Sequence, residues 1–236
     1  MPFYTNFAPD FQKDMNDFNM KAALFDFDGV VCDTESQYSI FWGGVCRQYH
    51  PEQPGLENKI KGQTLEQIFD AHFHDMDARK DIVRRLDEYE AGMDYVFVKG
   101  FLEFIKELRE AGVATALVTS SNMKKMECVY KAHPDFNNMF DAVLTSDDFT
   151  QSKPHPQCFL IAAKRLNAEP QDCVVFEDSF NGLKAGMAAG MTVVGLATTN
   201  PAQQIAPLCD IVVEDFSQLH RLDCQTAMAK RERKLV

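Results

Sequence analysis

Short apolar runs rich in β-branched residues recur along the chain and alternate with segments of helical periodicity. Continuous runs of this length are typical of strands that are buried on both faces of a parallel sheet. Strands that alternate with helices predict an α/β fold with a doubly wound sheet. The predicted strands cover residues 21–25, 113–118, 141–145, 173–177, 192–196 and 210–213.

Two of the intervening segments carry clear helix boundaries. The segment GFLEFIKELREAG places its large apolar residues on one helical face and ends at Gly112, where glycine commonly follows a helix. The segment PQCFLIAAKRLN, residues 156–167, has proline at its start and Asn167 at its end. We therefore expect both segments to form helices that pack on the sheet.

Residues 36–98 interrupt the alternation, because three amphipathic helical patterns follow one another there without a convincing strand. We interpret them as a helical cap inserted above the carboxyl edge of the sheet, where ligands bind in open α/β folds. We interpret the basic C-terminal segment as a solvated helix end or a frayed terminus. The predicted organisation is an N-terminal arm (1–20), a core (21–35 and 99–221), a helical cap (36–98) and a basic tail (222–236).

Composition narrows the class of partner. A formal net charge of −11 argues against a surface that binds nucleic acid or an anionic membrane. The seven cysteines are scattered without a C-x-x-C pair, which predicts neither a zinc site nor a disulfide framework. The N-terminus has no signal-peptide pattern, and no apolar run approaches the roughly 20 residues of a membrane span. We expect a cytoplasmic monomer or weak homo-oligomer.

Polar side chains follow four of the predicted strands at the points where those strands end. The carboxyl ends of parallel strands meet at one edge of a sheet, so these side chains should lie close together. Each has an ordinary structural explanation alone, such as a helix cap or a solvated lysine, but their joint order favours a shared site. They are Asp26 and Asp28, then Thr119, Ser120 and Ser121, then Lys153, and finally Glu177 and Asp178.

This set of groups suits phosphoryl transfer. Carboxylate oxygens are the ligands that Mg²⁺ prefers, while a lysine and a hydroxyl can hold phosphoryl oxygens. One carboxylate can attack phosphorus to give an aspartyl phosphate. A second carboxylate two residues further along can protonate the leaving oxygen and then activate water. Gly29 allows the chain to turn sharply after this pair.

The same residues resemble the motifs of a known family, the haloacid dehalogenase superfamily of phosphotransferases. The segments DFDGVVCDT, VTSS, Lys153-Pro154 and FEDSFNGLKAGMAAGM resemble its four motifs in order, over residues 22–215. The fourth motif is especially close to that of the β-phosphoglucomutase-like branch. This resemblance implies a Rossmann-like core with a small helical cap at the inserted position.

The resemblance also implies a role for each matched residue. Asp26 would be the nucleophile and Asp28 the general acid/base, while Thr119 and Lys153 would bind the phosphoryl group with Ser120 adjacent. Mg²⁺ would be held by Asp26, the backbone carbonyl of Asp28 and Asp178, with Glu177 in or beside that shell. In the cap, the candidates for substrate contacts are Lys61, Gln63 and Thr64.

Differences from the family pattern favour one of the family's reactions over the others. True dehalogenases lack the second aspartate, so Asp28 argues against dehalogenation. The mutases carry a cap histidine where Tyr38 stands here, and an arginine in a K-G-x-S-R-type segment. In KGQTLE, which keeps Lys61 and Gly62, Leu65 stands in the place of that arginine, so a second phosphate would be held poorly. Hydrolysis is then favoured over mutase turnover.

The sequence thus predicts a Mg²⁺-dependent phosphatase that acts on a small phosphorylated metabolite, such as a sugar or polyol monophosphate. A β-phosphoglucomutase-like mutase is the main alternative. A phosphonate hydrolase that uses a cap lysine, one of Lys59, Lys61 and Lys99, is a further alternative. A phosphometabolite-binding protein without catalysis is an alternative of another class, and it predicts binding without turnover.

Overall fold

The computed structural model describes residues 20–61 and 63–235, with side chains described through residue 232. The predicted N-terminal arm, apart from Met20, lies outside the described residues, and so does Gly62. Met20 is buried in the core beside the first strand.

The described residues form a six-stranded parallel sheet, which confirms the predicted fold class. From edge to edge the strand order is β3-β2-β1-β4-β5-β6. The chain builds outward from β1 on one side and then crosses to β4 to build outward on the other side. The β1–β4 boundary is therefore the topological switch point, where α/β sheets bind ligands. The strands are β1 (Ala22–Phe25), β2 (Ala114–Val118), β3 (Ala142–Leu144), β4 (Cys173–Glu177), β5 (Thr192–Leu196) and β6 (Ile211–Val213).

A helical insertion follows β1, in the segment where the sequence predicts helices. Its own apolar core includes Trp42, Phe73 and Ile82, so the insertion packs internally and not only against the sheet. The two linkers to the insertion pair with each other, because Asp33 N donates to Val96 O at 2.8 Å. The helices are α1 (Glu35–Tyr49), α2 (Leu56–Lys59), α3 (Leu65–His72) and α4 (Met76–Ala91).

The remaining helices flank the sheet. The two helix ends predicted from sequence are confirmed, because Gly112 and Asn167 both adopt positive φ, at 74° and 53°, just beyond their helices. These helices are α5 (Phe101–Glu110), α6 (Met123–Ala132), α7 (Gln157–Arg165), α8 (Phe180–Ala188), α9 (Ala202–Ile205) and α10 (Arg221–Leu235).

Both faces of the sheet are buried, which explains the unbroken apolar runs. On one face, Phe25 stacks on Phe176 with ring centroids 4.5 Å apart. On the other face, Leu24 and Val175 pack in a second cluster with Phe159. The sheet therefore acts as a rigid platform whose carboxyl edge carries the polar residues.

The C-terminal segment differs from the predicted solvated tail. Residues 221–235 form α10, and Cys224 and Met228 are buried in the same cluster as Phe25. Arg231 Nη1 also lies 3.1 Å from Asp210 Oδ2. The basic residues near the C-terminus make this segment look solvated in the sequence, so its apolar face was not predicted. Within the part of the chain that the structure covers, no helix has the length and apolar character needed to cross a membrane.

Candidate active site

Asp26 lies directly after β1, at the carboxyl edge of the sheet. Its backbone N–H donates to Phe176 O at 3.1 Å, so the strand pairing with β4 extends to this residue. The chain then turns at Gly29, as the sequence predicts, and the φ of this residue, 72°, is in the left-handed region. A Cβ at Gly29 would lie 2.1 Å from Asp178 Oδ2, so the turn also brings β1 and β4 residues into close approach.

Lys153 connects the two central strands through its ammonium group. Its Nζ donates to Asp26 Oδ1 at 2.9 Å and to Glu177 Oε1 at 2.8 Å, and also to Val118 O at 3.1 Å. The residue is only 1% exposed. Burial opposes its charge, but Asp26 and Glu177 outweigh burial and raise the pKa of Lys153, which keeps it cationic.

Glu177 orients the loop that follows β4. Its Oε2 accepts hydrogen bonds from Asp178 N at 2.9 Å, from Ser179 N at 3.0 Å and from Ser179 Oγ at 3.0 Å. Ser179 Oγ in turn caps α8 by accepting from Gly182 N at 3.1 Å. Both oxygens of Glu177 are thus engaged by protein donors, and the loop holds Asp178 in a fixed position.

Three carboxylates form a buried cluster that could hold a metal ion. Asp26, Glu177 and Asp178 each offer an oxygen, and these oxygens lie within 4.8 Å of one another. Burial raises the pKa of Asp26 to about 7, with Lys153 opposing and Glu177 adding to the shift. Burial together with Glu177 raises the pKa of Asp178 well above its usual range. This concentration of buried negative charge and oxygen donors suits a hard divalent cation.

Two residues of the loop after β5 complete the surroundings of Asp178. The Thr199 hydroxyl donates to Asp178 Oδ2, and Asn200 Nδ2 donates to Asp178 O at 2.9 Å. Neither residue was predicted from the sequence, because the residues that follow β5 match none of the four motifs. Their position after a predicted strand is the signal that could have found them.

Asp28 is held by donors from both sides of the turn. Thr34 Oγ1 donates to Asp28 Oδ1 at 2.5 Å, and Ser121 Oγ donates to Oδ2 at 3.2 Å. Lys125 Nζ reaches both carboxylate oxygens, at 2.5 Å and 2.6 Å. Lys125 was not among the predicted site residues. Its only sequence signal is helical spacing, since it lies four residues before the buried Val129 on α6.

The segment after β2 contributes hydroxyls and a helix start. Thr119 is fully buried, its N–H donates to Leu144 O at 2.9 Å, and its Oγ1 accepts from Ser121 N at 3.0 Å. Ser120 and Ser121 line the cavity next to the carboxylates. Asn122 then caps α6, because its Oδ1 accepts from Lys125 N at 3.0 Å.

A cavity of about 500 Å³ lies between the helical insertion and the carboxyl edge of the sheet. The structure brings all three predicted cap residues to it. Lys61 Nζ lies 3.4 Å from Glu35 Oε2, and Gln63 Nε2 donates to Lys59 O at 3.0 Å. Thr64 caps α3 by accepting from Gln67 N at 3.3 Å, so its hydroxyl has a structural partner already.

The charge of the cavity wall is strongly negative. Among the described residues that line it, the cations are Lys61 and Lys125, and each is paired with a carboxylate. Lys59 and Lys99, the other lysines considered for a phosphonate hydrolase, do not line the cavity, and Lys99 Nζ lies 3.9 Å from Asp215. The acidic lining residues are Asp26, Asp28, Glu35, Glu57, Glu66, Glu90, Asp147 and Asp178.

The buried carboxylates of Asp26, Glu177 and Asp178 lie with Lys153 at the carboxyl edge of the sheet, below the helical insertion. This strand order and this site are typical of an α/β enzyme with an acidic centre. A sequence profile described as haloacid dehalogenase-like hydrolase matches residues 23–196. The chain belongs to this family, as the sequence motifs predict. Relatives within this family that are named phosphatases confirm the predicted enzyme class, a hydrolase of phosphoric monoesters.

Known relatives include both phosphatases and mutases. The chain is 30% identical over 184 residues to the phosphorylated carbohydrates phosphatase of Thermotoga maritima, covering 73% of this chain and 82% of that protein. It is 26% identical over 215 residues to the β-phosphoglucomutase of Bacillus subtilis, covering 85% and 92%. A crystal structure of a family IA, variant 3 hydrolase from Entamoeba histolytica superposes with a TM-score of 0.78 at 21% identity, covering 89% of this chain and 99% of that one, and shows the shared fold.

Proposed function

We propose that this protein is a Mg²⁺-dependent phosphatase that hydrolyses a sugar or polyol monophosphate through an aspartyl phosphate. The observation that carries the proposal is the arrangement around Asp26. Its carboxylate lies at the cavity wall beside the buried ammonium of Lys153, and the Asp28 carboxylate is held two residues further along. A nucleophile, a fixed cation and a second carboxylate are the groups that this two-step reaction needs.

Each residue has a distinct part in the proposed reaction. Asp26 attacks phosphorus, and Lys153 and Thr119 bind the phosphoryl oxygens with Ser120 adjacent. Asp28 gives a proton to the leaving oxygen in the first step. In the second step it takes a proton from the water that attacks the aspartyl phosphate. The helical insertion covers the cavity and excludes bulk water.

Mg²⁺ fits the donor set at the carboxyl edge of β1 and β4. Asp26, Asp178 and the backbone carbonyl of Asp28 would hold it, and Glu177 would stay beside them because Lys153 and Ser179 already engage its oxygens. A bound Mg²⁺ would offset the repulsion among the buried carboxylates and neutralise charge on the phosphoryl oxygens.

The cavity wall favours a substrate with one phosphate and an uncharged remainder. Lys153 and the metal site serve the transferred phosphoryl group, while Glu57, Glu66 and Asp147 line the rest of the cavity. A second anionic group would meet these carboxylates without a free cation among the described lining residues. A sugar or polyol, which carries hydroxyls on a carbon skeleton, suits a wall that combines these carboxylates with apolar side chains such as Trp42 and Phe149. The Thermotoga maritima relative is named for phosphorylated carbohydrates.

A phosphosugar mutase is the second candidate, and the Bacillus subtilis relative is its support. The cavity argues against it here. A mutase must hold a second phosphate while the intermediate reorients, and Leu65 lines the cavity at the position where the mutases carry an arginine. Tyr38, at the position of the mutase histidine, donates its hydroxyl to Glu90 Oε1 at 2.7 Å.

The experiment that tests the proposal measures phosphate release from a panel of sugar, polyol and nucleotide monophosphates, with Mg²⁺ or with a chelator. Asp26→Asn is compared with Asp33→Asn, an exposed aspartate that lies outside the cavity wall. We expect Mg²⁺-dependent release that D26N abolishes and D33N retains. Glucose 6-phosphate formed from β-glucose 1-phosphate without free phosphate would support the mutase, and binding without turnover would support the non-catalytic alternative.

A further inference from the structure

A buried lysine lies against Asp28. Lys125 is 2% exposed, and its Nζ lies 2.5 Å and 2.6 Å from the two carboxylate oxygens of Asp28. The same ammonium donates to Ser121 Oγ at 3.1 Å. Since Ser121 also donates to Asp28, two side chains from the β2–α6 region bind this carboxylate together. Charge-assisted bonds of this kind are shorter and stronger than those between neutral groups.

Lys125 also contacts the helical insertion. Its Nζ lies 4.5 Å from the ring centroid of Tyr38 on α1, and 5.0 Å from the ring of Phe27. The Tyr38 hydroxyl continues to Glu90 on α4. The ammonium of Lys125, on the core helix α6, therefore contacts the Asp28 carboxylate and α1 of the insertion, and Tyr38 links this pair onward to α4.

The neighbouring lysine shows what an ordinary surface residue does on the same helix. Lys124 pairs with Asp87, and its side chain is 63% exposed. A surface pair of this kind contributes little to stability, whereas a buried ammonium needs a specific partner. Lys125 meets that need with both oxygens of Asp28, so neither group is free to turn without the other.

We propose that Lys125 is a positioning residue that holds the Asp28 carboxylate ready to accept the proton of the attacking water. The inference rests on the proposed function, because it assigns Lys125 to the second step of that reaction. In this step the water oxygen bonds to phosphorus, the bond from Asp26 oxygen to phosphorus breaks, and Asp28 takes the water proton. Inorganic phosphate leaves and the Asp26 carboxylate is restored.

An aryl phosphate separates this step from the first one. Nitrophenolate leaves without help from an acid, so formation of the aspartyl phosphate does not depend on Asp28. Hydrolysis of the aspartyl phosphate is then the step that limits turnover of this substrate. Loss of Lys125 should then slow hydrolysis alone. With p-nitrophenyl phosphate, we expect Lys125→Met to lower kcat about 10- to 100-fold and to lower KM in parallel, which leaves kcat/KM nearly unchanged.

The phosphorylated enzyme supplies a second readout that a merely structural role would not move. At a substrate concentration below the wild-type KM, K125M should carry more acid-stable label from ³²P-labelled aryl phosphate at steady state than the wild type does. Lys125→Arg should restore part of kcat because it keeps a cation with two donors toward Asp28. Lys124→Met is the matched control, and we expect wild-type values for it.

A double-mutant cycle shows whether Lys125 acts through Asp28. We expect K125M combined with Asp28→Asn to be no slower than D28N alone, within about threefold. The proposal would be overturned if the losses of K125M and D28N multiplied in the double variant. It would also be overturned by an equal fall in kcat and kcat/KM in K125M, or by a lower label on K125M.

A crystal structure of K125M tests the role of Lys125 without measuring activity. We expect the Asp28 carboxylate to turn away from the position that Thr34, Ser121 and Lys125 define. An unchanged carboxylate would overturn the positioning role whatever the kinetics. If wild type and D26N were equally inactive on every phosphate ester, the proposed function would fail on that ground, and the Asp28 geometry in K125M would decide the role of Lys125 separately.

Discussion

At the scale of single residues, the site depends on how closely charged side chains approach the backbone. Gly182 lies at the start of α8, where a Cβ would be 1.6 Å from Glu177 Oε1. Glu177 is the carboxylate that holds both Lys153 and the loop of Asp178. The absence of one side chain at Gly182 thus allows the central ion-pair network to form.

Gly182→Ala should therefore displace Glu177 and destabilise the protein by about 2–4 kcal/mol. The matched control is Gly44→Ala on α1, where a Cβ meets nothing within 4 Å. Because alanine is the better helix former, that variant should be stabilised by roughly 0.5–1 kcal/mol. Urea denaturation measures both free energies of unfolding, and a G182A value close to that of the wild type would contradict the account.

Glu90 gives a pH dependence of stability whose sign follows from its burial. Burial raises the pKa of Glu90, although Lys125 and Tyr38 oppose the shift, so the folded state binds a proton more tightly than the unfolded chain. The stability that this group contributes is present at low pH and is lost as pH rises through its raised pKa. The charged or titratable groups that act on Glu90 are Tyr38, Lys125, Asp28 and Asp87.

Glu90→Gln cannot titrate but keeps an oxygen that can accept from Tyr38. We therefore expect the wild type to lose free energy of unfolding relative to E90Q between about pH 4 and pH 7. Paired chemical denaturation curves at the two pH values measure the difference. A wild type that gains on E90Q as pH rises would show that Glu90 is stabilised in its charged form.

At the scale of secondary structure elements, α10 shows how far a helix can depend on one apolar face. Cys224 and Met228 fill the cluster beside the sheet, while Leu222 on the same helix is 56% exposed. The C-terminal charges dominate this segment in the sequence, which is why it resembles a solvated tail.

Met228→Ala should cost about 2–4 kcal/mol because Met228 is 4% exposed and its removal leaves a cavity against the core. Leu222→Ala, a comparable truncation on the exposed face, should change stability by no more than about 0.5 kcal/mol. Thermal or urea unfolding of both variants provides the comparison. Equal small effects would mean that α10 does not pack on the sheet.

The strands were predictable from sequence because burial on both faces leaves an unbroken apolar run for each of them. Asp26, Lys153 and Asp178 were predictable because they follow strand ends within recognisable motifs. Lys125 was not, since its partner Asp28 is 97 residues away and its neighbour Lys124 looks the same in the sequence. The contact between α10 and the core is likewise non-local, and only the folded chain reveals it.

At the scale of the whole molecule, negative charge dominates both the chain and its cavity. The formal net charge is −11, and the buried cluster of Asp26, Glu177 and Asp178 adds a local concentration of carboxylates. In the proposed reaction, attraction of the anionic substrate would then come from Lys153 together with bound Mg²⁺, and not from the field of the protein as a whole.

Mg²⁺ should therefore stabilise the folded protein by binding at this cluster. At a concentration 100 times its dissociation constant, linkage predicts a gain of about 2.7 kcal/mol, seen as a higher Tm. Asp178→Asn removes a proposed ligand, and its Tm should respond much less to Mg²⁺ than that of D33N, the exposed control. The same Mg²⁺-dependent rise in D178N as in the wild type would place the metal elsewhere.

In the proposed reaction, Asp26 carries the phosphoryl group during turnover. The most direct measurement is an acid quench of the enzyme during turnover of a ³²P-labelled sugar monophosphate, followed by mapping of the labelled peptide. We expect label on Asp26 in the wild type and none in D26N. Release of labelled phosphate from the wild type with no label on Asp26, or with label on another residue, would contradict the account.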